Sequence, residues 1–334
     1  MSDWILNSLT ELFGNNTAVN VIISMFFLII GFFGLIKGAD IFVDSASQIA
    51  ARLNVPLIVI GLTIVAFGTS APEAAISITS AVQNNAGIAV GNVLGSNIMN
   101  ILLILGISAL ICRLPVKKTT FRYEIPFVVI ITAAMLLLGA LGGSLDRIDG
   151  IVFAVLFAVF MVYLVRLSKN GDNSLADDIP EIDKSASIPK MILFVIIGLA
   201  MVVLGSDFTV SGATEIAKIA GLDDRVIGLT VVAFGTSLPE LVTCVQAARK
   251  QKADIAIGNI IGSNIFNILF VVGISALVSP SPIGFSNSFI IDACVAIAAA
   301  VILWLLTLKN KRISRLGGSI MLMLYAGYFV YLFV

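Results

Sequence analysis

Histidine is absent from this 334-residue chain, and only 12% of its residues are charged. Without histidine there is no imidazole general base, no histidine-containing triad and no ordinary histidine-ligated zinc site. An average soluble domain carries about 25% charged residues, so the exterior cannot be built for water. The 20 basic and 20 acidic residues cancel, which leaves no basic footprint for nucleic acid. No nucleotide-binding motif is present. The three cysteines, Cys112, Cys244 and Cys294, lack metal-site spacing and form no disulfide framework. Each stands among apolar residues, where a thiol acts as a small packing group. A cofactor-free protein that is not an enzyme is expected. The start, MSDWILNSLTELFGNN, lacks the basic region and small-residue cleavage site of a signal peptide. Trp4, Leu9, Leu12 and Phe13 share one face there, as an interfacial helix requires.

Apolar sequence fills the rest. Hydrophobic residues make up 59% of the chain and mean hydropathy is +1.07. A bilayer core about 30 Å thick takes about 20 apolar residues per helix. The expected class is therefore all-α: a polytopic membrane protein whose main partner surface is the lipid bilayer.

The chain is also a duplication. Gly61–Leu110 matches Gly228–Leu277 at 29 of 50 positions without a gap, at an offset of 167 residues. The register extends back to pair Gly31 with Gly198, Gly38 with Gly205 and Asp40 with Asp207. Hydrophobic runs predict five spans per half: 20–52, 55–82, 87–111, 124–142 and 148–167, then 190–220, 224–248, 254–278, 287–308 and 315–334. The first span of each half is long enough to require tilt. The predicted organisation is an N-terminal extracytoplasmic segment 1–19, a five-helix repeat 20–167, a linker 168–189 and a second five-helix repeat 190–334. An odd number of spans per repeat inverts the second half. Alternate loops carry 16 of the 20 basic residues, while the opposite loops hold only Arg147 and Arg225. The positive-inside rule then puts the linker in the cytoplasm of a cell inner (plasma) membrane and both termini outside. Inverted repeats of this kind mark secondary transporters, with the binding site near the midplane.

Each half holds one acidic residue deep in its best-matched segment: Glu73 in GTSAPE and Glu240 in GTSLPE. A carboxylate in hydrocarbon costs several kcal/mol unless it faces a cavity or a partner. Two carboxylates brought together repel unless a proton or a cation intervenes. Neutral oxygens surround both. Gly68 and Pro72, and their mirrors Gly235 and Pro239, interrupt the helix and release backbone carbonyls, including those of Ala66, Thr69, Ala233 and Thr236. Ser70 and Ser237 add hydroxyls; GNVLGSNIMN and GNIIGSNIFN add Ser96, Asn97 and Asn100, and Ser263, Asn264 and Asn267. Gly95 and Gly262 permit close helix approach. Hard oxygen ligands suit Ca²⁺, which takes 6–8 of them. Serine and threonine in membrane helices often bond their own backbone instead. Recurrence beside an acidic residue in both halves argues for ligands.

The paired G-T-S-x-P-E and G-N-x-x-G-S-N-x-x-N motifs resemble those of the cation/calcium exchanger superfamily, in its prokaryotic-type sodium/calcium exchanger branch. The resemblance covers nearly the whole chain. It implies Na⁺/Ca²⁺ antiport, with inorganic cations as cargo. It implies Ca²⁺ binding by Glu73 and Glu240 with the carbonyls of Thr69 and Thr236. It implies Na⁺ binding by the carbonyls of Ala66 and Ala233, by Ser70, Ser96, Ser237 and Ser263, and by Asn100 and Asn267. Some members carry Asp where this chain has Asn267. The proton-coupled branch has a different motif in place of T-S-x-P-E. Alternatives of the same fold are a potassium-dependent or other divalent-cation exchanger. A cation channel would conduct one ion without a counter-ion, and an intramembrane hydrolase with a carboxylate dyad would cleave peptides.

Three further expectations concern acidic residues. Lys37 lies three residues before Asp40 and pairs with it on a helix. Asp292 stands alone in the ninth span. The cluster Asp172, Asp177, Asp178, Glu181 and Asp183 reads as a solvated connection without EF-hand spacing.

Overall fold

The computed structural model describes Leu6 and residues 17–83, 86–169, 187–221 and 233–332. The face of Trp4, Leu9, Leu12 and Phe13 and the acidic linker cluster lie outside the described residues. Twelve helical segments are described: α1 (Thr17–Leu53), α2 (Leu57–Thr69), α3 (Ala71–Val82), α4 (Gly87–Ile111), α5 (Thr120–Gly142) and α6 (Arg147–Lys169), then α7 (Ile188–Ile219), α8 (Ala233–Thr236), α9 (Leu238–Arg249), α10 (Ala253–Val278), α11 (Asn287–Thr307) and α12 (Arg315–Tyr331). Seven of them are long and apolar enough to cross a bilayer, and α2 with α3, bent by 52°, would form an eighth span. Of the remaining two expected spans, α12 has 17 residues, and part of 224–248 lies outside the described residues.

Local chemistry sets the boundaries. α1 ends where Asn54 turns left-handed (φ 54°) before Pro56, and proline disfavours helix in the residue before it. α5 ends on Gly143, at φ 67°, a left-handed geometry that glycine adopts without penalty. α6 begins on Asp146, whose Oδ1 accepts from the amides of Ile148 (2.8 Å) and Asp149 (3.1 Å). The outward faces are lipid-like: Ile22, Phe26, Ile29 and Phe33 of α1 and Ile192 and Ile196 of α7 are exposed.

α4 and α10 form the buried centre. α10 is seated on α2 by glycine. A Cβ at Gly258 would lie 2.9 Å from Gly61 Cα, and one at Gly262 would lie 2.7 Å from Ala66 Cβ. The long helices α1 and α7 cross in the same way. A Cβ at Gly205 would sit 2.6 Å from Leu35 N and 2.7 Å from Gly31 O; one at Gly198 would sit 2.7 Å from Phe42 N and 2.9 Å from Gly38 O. Gly31 thus meets Gly205 and Gly38 meets Gly198, so each half offers both of its register glycines to the other.

Two short ladders tie the loops. β1 (Leu114–Pro115) pairs antiparallel with β4 (Arg312–Ile313), and β2 (Ser144–Leu145) with β3 (Ile283–Gly284). Each ladder joins one loop from each half. The β1–β4 ladder gathers basic loops, and Lys117 there approaches Asp254 at 3.7 Å.

Candidate functional site

Pro72 and Pro239 occupy the first turns of α3 and α9. Proline is tolerated there because the amide it lacks has no helical partner at that position. The preceding residues leave helical geometry, Ser70 at φ −83°, ψ 7° and Ser237 at φ −93°, ψ 4°. Both halves therefore break at the same motif position. The break brings Glu73 and Glu240 into the first turn of the following helix, where the helix dipole favours negative charge. Each glutamate is buried, with 1% exposure.

The contacts run between the halves. Ser70 Oγ donates to Glu240 Oε1 at 2.8 Å, and Ser237 Oγ donates to Glu73 Oε1 at 3.4 Å. The asparagines of α4 and α10 form a reciprocal network. Asn97 Nδ2 donates to Asn264 O (3.2 Å) and Asn264 Nδ2 to Asn97 O (3.4 Å). Asn100 Nδ2 donates to Asn264 Oδ1 (3.1 Å) and Asn267 Nδ2 to Asn97 Oδ1 (3.2 Å). Asn100 and Asn267 both open a wide π-helical turn, Asn100–Ile104 and Asn267–Val272; such turns frequently occur at functional sites.

In these four asparagines the amide N–H groups are used, while oxygens are left over. Glu73 Oε2, Glu240 Oε2, Asn100 Oδ1 and Asn267 Oδ1 are buried without a hydrogen-bond partner. All four are acceptors. An unsatisfied buried acceptor costs about 1–3 kcal/mol, and a cation on any of these oxygens would remove its cost. Oxygen-only ligands favour hard cations over soft transition metals.

Other expected ligands are placed less directly. Ser96 and Ser263 are buried, and Ser263 Oγ approaches Ala66 O at 3.5 Å. The Thr69 hydroxyl faces Val65 O, Ala66 O and Asn259 Oδ1. Ala233 opens α8, and its side chain lies outside the described residues. Gly235 is closely packed: a Cβ there would lie 2.0 Å from Val210 Cγ2. Its carbonyl loses its helical partner to Pro239, as the motif predicts, but it accepts from Ser206 Oγ at 2.7 Å.

Two acidic residues differ from expectation. Asp40 pairs with Lys250 at 2.5 Å rather than with Lys37, because α1 lies against the end of α9. Lys250 also reaches Asp44 (2.6 Å), and Lys252 reaches the same carboxylate (2.8 Å). Burial lowers the Lys250 ammonium, but Asp40 and Asp44 outweigh it and hold the group above its ordinary value. Asp292 is not alone: Tyr328 donates to its Oδ1 at 3.0 Å. Its counterpart is Glu124, which accepts from Tyr163. In each half a carboxyl–tyrosine pair ties the fourth long helix to the fifth.

A family model described as sodium/calcium exchanger protein matches residues 23–166 and 190–334. This chain belongs to the sodium/calcium exchanger family. The exchanger is 41% identical to CaxA of Alkalimonas amylolytica over 322 residues, covering 94% of this chain and 99% of the relative. It is 32% identical to the sodium/calcium exchanger MaX1 of Methanosarcina acetivorans over 349 residues, covering 94% and 99%. Among solved structures, the sodium-calcium exchanger NCX_Mj soaked with 2.5 mM Na⁺ and 1 mM Sr²⁺ matches with TM-score 0.80 and 33% identity, over 92% of this chain and 98% of that one. The exchanger is an integral membrane transporter of the Na⁺/Ca²⁺ type.

Sequence reading missed three polar residues that bond in or beside the two motifs. Ser206, Asn92 and Asn259 escaped because none carries charge and each bonds to a different helix, from 15 to 190 positions away. The 167-residue offset was the available signal for the asparagines, which repeat at equivalent positions.

Proposed function

We propose that the exchanger is a secondary antiporter that swaps Na⁺ for Ca²⁺ at a central site holding both glutamates. Ten spans form two inverted five-helix repeats, with both termini outside and the linker cytoplasmic. Ca²⁺ binds Glu73 and Glu240 with the carbonyls of Thr69 and Thr236. Na⁺ binds the carbonyls of Ala66 and Ala233 with Ser70, Ser96, Ser237, Ser263, Asn100 and Asn267. The observation that carries this reading is the set of four unpartnered buried acceptor oxygens beside the reciprocal serine–glutamate bonds. The two ions compete for one cluster, so each empties the site for the other.

Alternating access follows from movement of α1 and α7 against the helices around α4 and α10. The glycine crossing supports this, because it makes α1 and α7 one unit. The two loop ladders support inversion, because each joins loops that the charge rule places on one side. Neutral oxygens exceed what one Ca²⁺ needs. More than two Na⁺ then replace each Ca²⁺, and every cycle moves net charge.

The test is Ca²⁺ flux in proteoliposomes under separate Na⁺, K⁺ and H⁺ gradients, with the potential imposed independently. Na⁺-driven flux accelerated by an inside-negative potential is expected; a net charge feels about 2.3 kcal/mol per 100 mV. Flux that requires K⁺ would replace this assignment with the potassium-dependent one. Single cysteines at Gln83 and Lys250, in a background lacking the native three, should label from opposite sides of the membrane. Labelling from one side would exclude inversion.

A further inference from the structure

Asn92 and Asn259 hold the same place in the two G-N-x-x-G-S-N motifs, yet they make different bonds. Asn92 Nδ2 donates to Ser77 Oγ at 3.0 Å, within its own repeat, and lies 3.5 Å from Glu73 O. The position equivalent to Ser77 is Cys244. Its thiol faces Ala256 O at 3.5 Å and accepts from Ser108 Oγ at 3.4 Å. A thiol is a weak hydrogen-bonding group, so α9 offers Asn259 no counterpart of the Ser77 hydroxyl. Asn259 turns instead to the other repeat. It is fully buried, its Oδ1 accepts from Thr69 Oγ1 at 3.0 Å, and its Nδ2 has no partner.

The Thr69 hydroxyl has one proton and four acceptors in reach: Asn259 Oδ1 at 3.0 Å, Val65 O at 3.1 Å, Ala66 O at 3.4 Å and the Glu240 carboxyl. A proton donated to a carbonyl lone pair and a cation on that oxygen compete. We propose that Asn259 is a positioning residue for sodium: it takes the Thr69 hydroxyl proton, so that the Ala66 carbonyl, which already accepts from the Ser70 amide at 3.0 Å, keeps its second lone pair for Na⁺. This rests on the reading that the Ala66 carbonyl is a sodium ligand.

The experiment measures half-saturating Na⁺ and Ca²⁺ separately in proteoliposome flux, after Na⁺-driven Ca²⁺ transport by the native protein has been established. Absence of that native flux would defeat the functional reading itself, before any variant is made. Asn259→Leu removes this acceptor and leaves the proton to the α2 carbonyls and the Glu240 carboxyl. Half-saturating Na⁺ should rise about fivefold, the loss of one ordinary hydrogen-bond preference, while half-saturating Ca²⁺ moves less than about twofold. Asn259→Asp keeps an acceptor oxygen and should not raise half-saturating Na⁺. In a Thr69→Val background, which has no hydroxyl proton, Asn259→Leu should have no further effect on Na⁺. Should Asn259→Leu fail to fold, Asn259→Ala carries the same expectation. Equal shifts for both ions, or a full Asn259→Leu effect in the Thr69→Val background, would overturn the proposal and leave Asn259 a packing residue.

Discussion

Ser206 closes the Gly235 carbonyl of the second repeat, whereas the first repeat has Ala39 in the equivalent place and no hydroxyl to offer. The same contrast recurs elsewhere. Cys244 stands opposite Ser77, and Lys250 and Lys252 stand opposite Gln83 and Asn85. The motif residues themselves are alike in both halves, and both glutamates accept from a serine of the other repeat. Divergence therefore falls on residues beside the motifs and on those that tie the helix ends. Two repeats with identical contacts would tie their helix ends in the same way. Here one end joins α1 to α9 through Asp40, Asp44, Lys250 and Lys252. The equivalent positions in the other direction include neutral Gln83 and Asn85, which cannot form ion pairs.

The largest expected effect tests where the repeats are the same. Glu73→Gln and Glu240→Gln should each reduce Na⁺-driven Ca²⁺ uptake to background, with normal membrane insertion, because either change removes half of the charge that balances Ca²⁺. Near-normal uptake in both variants would exclude the two-glutamate site. Loss in only one would show that the halves are not equivalent at the ion.

Next comes the carbonyl that Ser206 covers in the second repeat. Ser206→Ala leaves the Gly235 oxygen without its hydroxyl donor and should destabilise the protein by about 1–2 kcal/mol. Thermal unfolding in detergent measures this as a lower Tm. An unchanged Tm would mean that the Ser206 bond adds nothing to the second repeat.

The smallest effect belongs to the ion pairs. Lys250→Gln should cost about 0.2–1 kcal/mol, since partly exposed pairs are screened by solvent. A double-mutant cycle with Asp44→Asn should show coupling at low salt that fades at high salt. The folded Lys250 ammonium titrates above the ordinary lysine value of 10.5. Its contribution is therefore complete at neutral pH, below the unfolded value, and is lost as pH rises through the folded one. Coupling indifferent to salt would show that the contact is not electrostatic.

Much of this exchanger was legible in one dimension. Hydropathy marks where helices cross a bilayer, because about 20 apolar residues have no other economical place. The duplication writes each candidate ligand twice at one offset, which separates Glu73 and Glu240 from isolated buried acids. The glycines at 31, 38, 198 and 205 were visible as a shared register, although not as a crossing. Proline in the first turn announced both helix breaks, since its missing amide acts on its own neighbours.

Tertiary structure alone decided the partners. Ser70 with Glu240, Asp40 with Lys250 and Thr69 with Asn259 each join residues about 170–210 positions apart. Helical periodicity reports which residues share a face, but not which face meets which. That choice was made by backbone contact at Gly31–Gly205, Gly38–Gly198 and Gly61–Gly258. Lipid offers no hydrophobic drive between helices, so close packing at small residues sets their alignment. Lys37 lies three residues from Asp40 along the chain, but Lys250 was carried to it by that packing.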